Sequence, residues 1–157
     1  MTAQLYNFIL AIMHRIERSV LVTYSAEQMF SLVAAVKDYP AFLPWCAGAH
    51  VRPHRDGSIE AQIDIHYRGV RSSFTTRNHN QAPTAIRMEL LDGPFRRLTG
   101  GWEFLALQDD ACKVRLQLQY EFAPGLLGRA IAPVFEGIAA SLVDSFTVRA
   151  DALYDGR

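Results

Sequence analysis

The chain has 157 residues, half of them hydrophobic and a fifth charged, with a formal net charge of zero. That length and composition describe one soluble domain and are too neutral for a dedicated binder of DNA or other nucleic acid. The two cysteines, Cys46 and Cys112, sit in no CxxC motif and build no disulfide framework, so both read as reduced thiols of a cytoplasmic protein.

The run from Leu5 to Met13 is apolar and uncharged. It is too short to span a bilayer, which takes ~20 residues, and it lacks the basic start and cleavage site of a secretory signal. Two readings stay open, a weak membrane-surface tether or an upstream extension with translation starting at Met13. The failed targeting criteria favour the second, which makes residues 1–12 an extension and residues 13–157 the domain.

His14 to Val22 alternates as a strand, with Ile16, Val20 and Val22 on one side and Glu17 and Ser19 on the other. Ser25 and Gln28 form a capping box. The helix that follows sets Met29, Leu32, Val33 and Val36 on one face. Asp38 is placed to cap a second, short helical turn that Pro44 stops. From Gly48 to Phe122 no helical period appears. Turn signals recur at Asp56-Gly57, Arg68-Gly69, Ala82-Pro83, Asp92-Gly93-Pro94 and Asp109-Asp110, with runs of strand length between them.

Two of those runs alternate cleanly. Ile59, Ala61, Ile63, Ile65 and Tyr67 oppose Glu60, Gln62, Asp64 and His66; Val114, Leu116, Leu118, Tyr120 and Phe122 oppose charged and amide side chains. This predicts an antiparallel sheet with one wet and one buried face. The loops are too short for parallel crossovers. Gly100-Gly101, inside the run Leu98 to Phe104, predicts a bulge or a close backbone approach where the sheet curves. After Gly125 a helical stripe of Leu127, Ile131, Val134, Phe135, Ile138, Leu142, Phe146, Ala150 and Leu153 predicts a long helix that covers the sheet, with Pro133 expected to kink its start. The fold class is therefore α+β: a curved antiparallel sheet of about seven strands wrapped around a long C-terminal helix, with two short helices after the first strand.

Candidate chemistry is sparse. His50 and His54 would stand ~13 Å apart on a strand, too far for one metal, and the other histidines follow no ligand spacing. No catalytic motif is present, and neither cysteine has a base nearby in sequence. No metal site and no catalytic residue are expected. What remains is the meeting of sheet and helix, with two readings open: the two apolar faces pack solid, or the curved sheet stands off from the helix and leaves a cavity. Apolar lining is expected from Tyr39, Phe42, Leu43, Trp45, Phe74, Trp102, Ile131, Phe135, Ile138, Leu142 and Phe146, and polar groups from Tyr67, Ser72 and Thr76, in the manner of a small-molecule site. Tyr39 to Trp45 would form its mouth, an exposed apolar patch able to touch a membrane.

Five motifs in order carry a resemblance: Tyr39-Pro40-x-Phe42-Leu43-Pro44-x-Cys46, Phe74-Thr75-Thr76-Arg77-Asn78, Asp92-Gly93-Pro94-Phe95, Leu98-x-Gly100-Gly101-Trp102-x-Phe104 and Phe146-Thr147-Val148-Arg149-Ala150. From about Met13 to Tyr154 the chain resembles the Coq10/RatA family of the START-like, polyketide-cyclase-type superfamily. The resemblance implies a helix-grip fold and no transferable catalytic residues. It implies a non-catalytic carrier or chaperone for ubiquinone or a similar isoprenoid lipid, supporting respiratory electron transport, with the lipid as ligand and no cofactor. Such a protein would be cytoplasmic and peripheral at the inner membrane. The alternative it implies is a ribosome-association toxin that binds the large ribosomal subunit and blocks subunit joining, with Arg68, Arg71, Arg77, Arg87, Arg96 and Arg97 meeting rRNA phosphates.

Overall fold

A computed structural model describes residues 2–4 and 13–155. Apart from residues 2–4, the expected extension lies outside the described residues. The chain forms β1 (His14–Val22), α1 (Ala26–Ala34), a 3-10 helix (Val36–Ala41), β2 (Cys46–Pro53), β3 (Ile59–Tyr67), β4 (Val70–Gln81), β5 (Ala85–Asp92), β6 (Phe95–Gln108), β7 (Ala111–Phe122) and α2 (Leu126–Tyr154). All five predicted turns separate strands at the expected places. The α1 capping box is formed: Gln28 N–H donates to Ser25 Oγ at 3.0 Å, and Ser25 N–H donates to Gln28 Oε1 at 2.9 Å. The short helix begins at Val36, so Asp38 lies in its first turn and does not cap it.

The seven strands make one antiparallel sheet in the order β1-β7-β6-β5-β4-β3-β2. Its two edges, β1 and β2, are consecutive in sequence. The segment α1 plus 3-10 helix therefore has to cross from one edge to the other over the inner face. Alternation then sorts the side chains: Cys112, Val114, Leu116, Leu118 and Tyr120 of β7 point inward and are buried, and β6 supplies Leu98, Trp102 and Phe104 in register with them.

Gly100 and Gly101 mark a close backbone approach. A Cβ on Gly100, whose φ is +146°, would lie 2.0 Å from the Gln117 carbonyl oxygen, and one on Gly101 would lie 2.1 Å from that of Ile86. Neighbouring strands close on β6 from both sides, which only glycine permits. The bulges fall elsewhere, between Phe95 and Arg97 and between Ala106 and Gln108 on β6, between Cys46 and Gly48, and between Thr75 and Thr76.

Helix α2 is long and apolar enough to cross a membrane by length and composition. Here it lies in the grip of the sheet and buries Gly128, Ile131, Val134, Phe135, Ile138, Ala139, Val143, Phe146 and Ala150. It runs unbroken through Pro133, which is on the exposed side. The predicted stripe needs one correction. Leu127 is 57% exposed and Leu126 83%. Gly128 takes the inward position, so tightly that a Cβ there would sit 1.9 Å from the Ala123 carbonyl oxygen. That contact sets the rotation of the first turn and turns both leucines outward.

Candidate functional site

The inner face is organised by two aromatic residues of α2, eleven positions apart. Three turns of helix separate them by ~16 Å and return them to the same face. Phe135 meets Phe95 at 4.7 Å between ring centroids, Tyr120 at 4.9 Å, Phe74 at 6.0 Å and Phe122 at 6.1 Å, all edge to face. Phe146 meets Tyr39 at 5.2 Å, Trp102 at 5.3 Å and Phe42 at 5.5 Å, again edge to face. Such pairs add about 0.5–1.5 kcal/mol each beyond their burial.

The structure thus brings most of the expected lining residues together. Trp102, Ile131, Phe135, Ile138 and Phe146 are buried, and Tyr39, Phe42, Phe74 and Leu142 are half-buried against them. Their rings fill much of the space that a ligand would use. Between Val33, Val36, Tyr39, Asn78, Met88 and Trp102 a void of ≈ 20 Å³ remains, room for about one water. Thr76 is buried in this layer and donates from its hydroxyl to Asn78 Oδ1 at 2.7 Å. Ser72 is half-buried opposite Ile65.

Two expectations are corrected. Tyr67 is no interior group: it ends β3, is 37% exposed, and carries the Arg68 guanidinium 5.1 Å from its ring centroid. The segment Tyr39 to Trp45 is no exposed patch, since Leu43 is 1% and Trp45 9% exposed. Backbone bonds pin it down, from Leu43 N–H to Tyr39 O at 2.9 Å and from His66 N–H to Trp45 O at 3.0 Å. The Tyr39 phenol donates to the Val33 carbonyl, and burial pushes its pKa far up. Arg149 covers this segment from α2, its guanidinium 4.9 Å from the Phe42 ring centroid.

Tyr120 is the interior polar group that alternation concealed, because it counts as one more apolar position of β7. Its ring is 1% exposed and its phenol is raised by burial and then by Glu136. His14 stacks on it at 5.2 Å and reaches Glu136 with Nδ1 at 3.2 Å.

Acid–base or metal chemistry finds little to work with. Cys46 and Cys112 are buried free thiols whose pKa values burial raises, so both stay protonated. Besides His14, three histidines each meet one carboxylate, His50–Asp64 at 2.9 Å, His54–Glu60 at 3.5 Å and His79–Glu89 at 3.3 Å. Among the described residues no group of three or more His, Cys, Asp or Glu could hold a metal ion.

The outer face has a feature the sequence did not announce, an open groove of ≈ 1040 Å³ lined by His79, Arg87, Glu89, Gly101, Arg115 and Gln117, among others. Its charges are largely matched: Arg115 bridges to Glu17 at 2.9 Å and Glu103 at 3.7 Å.

The six arginines separate into two sets. Arg77 and Arg87 stand mid-face, in register with Glu89 and Gly101. Arg68, Arg71, Arg96 and Arg97 gather at one end of the sheet, where the β3–β4 and β5–β6 hairpins turn and α2 begins with exposed Arg129. The Ala123 N–H bond to Pro94 O at 2.9 Å ties the β5–β6 turn to the start of α2. At this hairpin end, Glu121 engages Arg96 at 3.4 Å while itself only 8% exposed.

Comparison with known proteins agrees with this architecture. A family model described as polyketide cyclase / dehydrase and lipid transport matches residues 22–147. The persistence and stress-resistance toxin PasT of Escherichia coli O6:H1 is 43% identical over 146 residues, 93% of this chain and 92% of that protein. The ribosome association toxin RatA of E. coli K12 is 42% identical over the same shares. A mitochondrial coenzyme Q-binding protein COQ10 homolog B of Xenopus laevis is 26% identical over 135 residues, 83% of this chain and 55% of that protein. Among solved structures, the Zhui aromatase/cyclase from Streptomyces superposes with a TM-score of 0.77 at 14% identity, covering 92% of this chain and 98% of that one. The chain belongs to the polyketide cyclase / dehydrase and lipid transport family, with its helix-grip fold, and within it to the Coq10/RatA branch.

Proposed function

We propose that this protein associates with the ribosome, as a cytoplasmic binding protein that meets the large subunit through its arginine-rich hairpin end and so opposes subunit joining. The observation that carries the reading is the 42% identity to RatA across 93% of the chain. The geometry supports it. The net charge of zero first counted against an RNA partner, but folding sorts the charge, and Arg68, Arg71, Arg97 and Arg129 form no ion pair among the described residues. Arginine clusters of this kind neutralise phosphates and release counterions, so binding falls steeply with salt. Sucrose-gradient sedimentation with purified subunits is the test: the protein should travel with the large subunit at low salt and leave it as salt rises. Absence from the large-subunit fraction at low salt would end the reading.

A second reading, a carrier of ubiquinone or a similar isoprenoid lipid, is favoured by the apolar inner face, its Thr76–Asn78 pair and the more distant COQ10 relative. Burying ten isoprenoid carbons would contribute about 8 kcal/mol at ~0.8 each before binding costs. The guest would have to part the rings around Phe135. Lipid extraction and mass spectrometry of the purified protein should then recover a quinone. Phe135→Asp or Leu142→Asp should lower the load, and full load in both variants would place the lipid elsewhere.

A further inference from the structure

The hairpin end also holds a concentration of exposed apolar side chains. Leu126 and Leu127 open α2 at 83% and 57% exposure, Leu91 near the end of β5 is 43% exposed, and Tyr67 at the β3–β4 tip 37%. The first turn of a water-facing helix favours acidic side chains, which complement the exposed N–H groups. Here it carries two leucines and Arg129, with no acid. Five exposed arginines, Arg68, Arg71, Arg96, Arg97 and Arg129, lie at the same end of the sheet. Besides Glu121, the acids here are Asp92, whose Oδ1 accepts the Gly93 N–H at 3.0 Å, and Glu136, whose side chain is 45% exposed beside His14. Strand β1 also begins at this end, where His14 pairs with Tyr120 and meets Phe122 edge to face.

Exposed apolar and basic side chains at one end match a bilayer surface, where leucines enter the headgroup–acyl boundary and arginines meet anionic headgroups. We propose that the hairpin end docks on an anionic lipid bilayer, with Leu126, Leu127, Leu91 and Tyr67 as the inserted group and the five arginines as its charged complement. An RNA partner uses the arginines and has no use for the leucines, which separates this docking from the ribosome reading. The arginines are common to both partners, so a bilayer and a large subunit compete for the protein.

The test is flotation with vesicles of phosphatidylcholine alone and of phosphatidylcholine mixed with phosphatidylglycerol. The protein should float with the mixed vesicles and stay behind with the neutral ones. Leu126→Glu/Leu127→Glu should lower vesicle affinity at least about tenfold, given the apolar area withdrawn, with a thermal midpoint no lower than the wild type's because both side chains are exposed and acids suit a first turn. Its co-sedimentation with the large subunit should persist. Arg96→Ala/Arg97→Ala should weaken flotation and blunt its dependence on lipid charge. Wild-type protein that ignores the mixed vesicles overturns the proposal, whether or not it binds ribosomes, and so does a leucine variant that floats as well as the wild type. A variant that loses ribosomes and vesicles together marks the leucines as part of one general contact and overturns the separation drawn here.

Discussion

The two ends of α2 are held in different ways. Around Phe146 the rings come from three layers: Trp102 from the sheet, Tyr39 and Phe42 from the segment that crosses the inner face, and Phe146 itself. That end is covered, and Tyr24 and Tyr154 lock it further by reaching Asp151 and the Gln28 carbonyl. Around Phe135 the rings come from β4, β6, β7 and the helix alone. Among the described residues no crossing segment covers this end, and Leu126 and Leu127 are exposed beyond it. The same helix is thus sealed at its C-terminal half and open at its N-terminal half. The difference follows from topology: the chain must cross between β1 and β2, and what it crosses it covers. The uncovered end is where exchange with a partner or a guest is structurally cheapest.

Truncating the two anchors tests that contrast most strongly. Phe146→Ala and Phe135→Ala should each cost about 3–5 kcal/mol of unfolding free energy, read from urea midpoints at constant slope, with Phe146 the costlier. If Phe135→Ala cost less than about 1 kcal/mol, the hairpin-end cluster would be loose, and the lipid reading would gain ground at once. Next in size is Gly101→Ala. Its new methyl would meet the Ile86 carbonyl, and relieving that overlap means moving backbone, at about 1–3 kcal/mol. A cost near zero would mean that the strands there yield, and that the glycine pair does not set the bend.

These costs also show what could be read beforehand. The turn dipeptides, the capping box and the close approach at Gly100-Gly101 were legible because each is local chemistry: a backbone conformation or a reach of a few residues. The rotation of α2 was not. Periodicity fits Leu127 to the buried stripe as well as it fits Ile131, and only the approach of Gly128 to the Ala123 carbonyl, a contact between helix and the preceding turn, decides the register. The mouth expected from Tyr39 to Trp45 failed for a similar reason. Leu43 and Trp45 are apolar residues in a connection, which reads as exposure until the connection is known to cross the inner face. The basic end was visible as an excess of arginine between residues 47 and 97, but its position required two hairpins to bring Arg68 and Arg71 to the same end as Arg96 and Arg97.

Thr76→Val should have a comparable effect, about 1–3 kcal/mol, because it keeps the shape and strands Asn78 Oδ1 in the interior without its donor. If Thr76→Val were neutral, water would be satisfying Asn78 and the void beside it would be wet.

The smallest effect belongs to the sealed end at high pH. Tyr24, hydrogen-bonded to Asp151, has its pKa raised to about 12, and burial raises Tyr39 further. An unfolded phenol ionises near pH ~10. The contribution of these groups is therefore complete below pH ~10 and drains away as pH climbs through their folded values, because the unfolded chain gives up protons that the folded chain keeps. Thermal midpoints should fall between pH ~10 and about 12, and Tyr24→Phe should flatten that fall while shifting the neutral midpoint little. An alkaline limb identical in wild type and Tyr24→Phe would mean that the Tyr24–Asp151 contact is not made in solution, and the C-terminal half of α2 would then be closed by the rings around Phe146 and the Tyr154 contact without it.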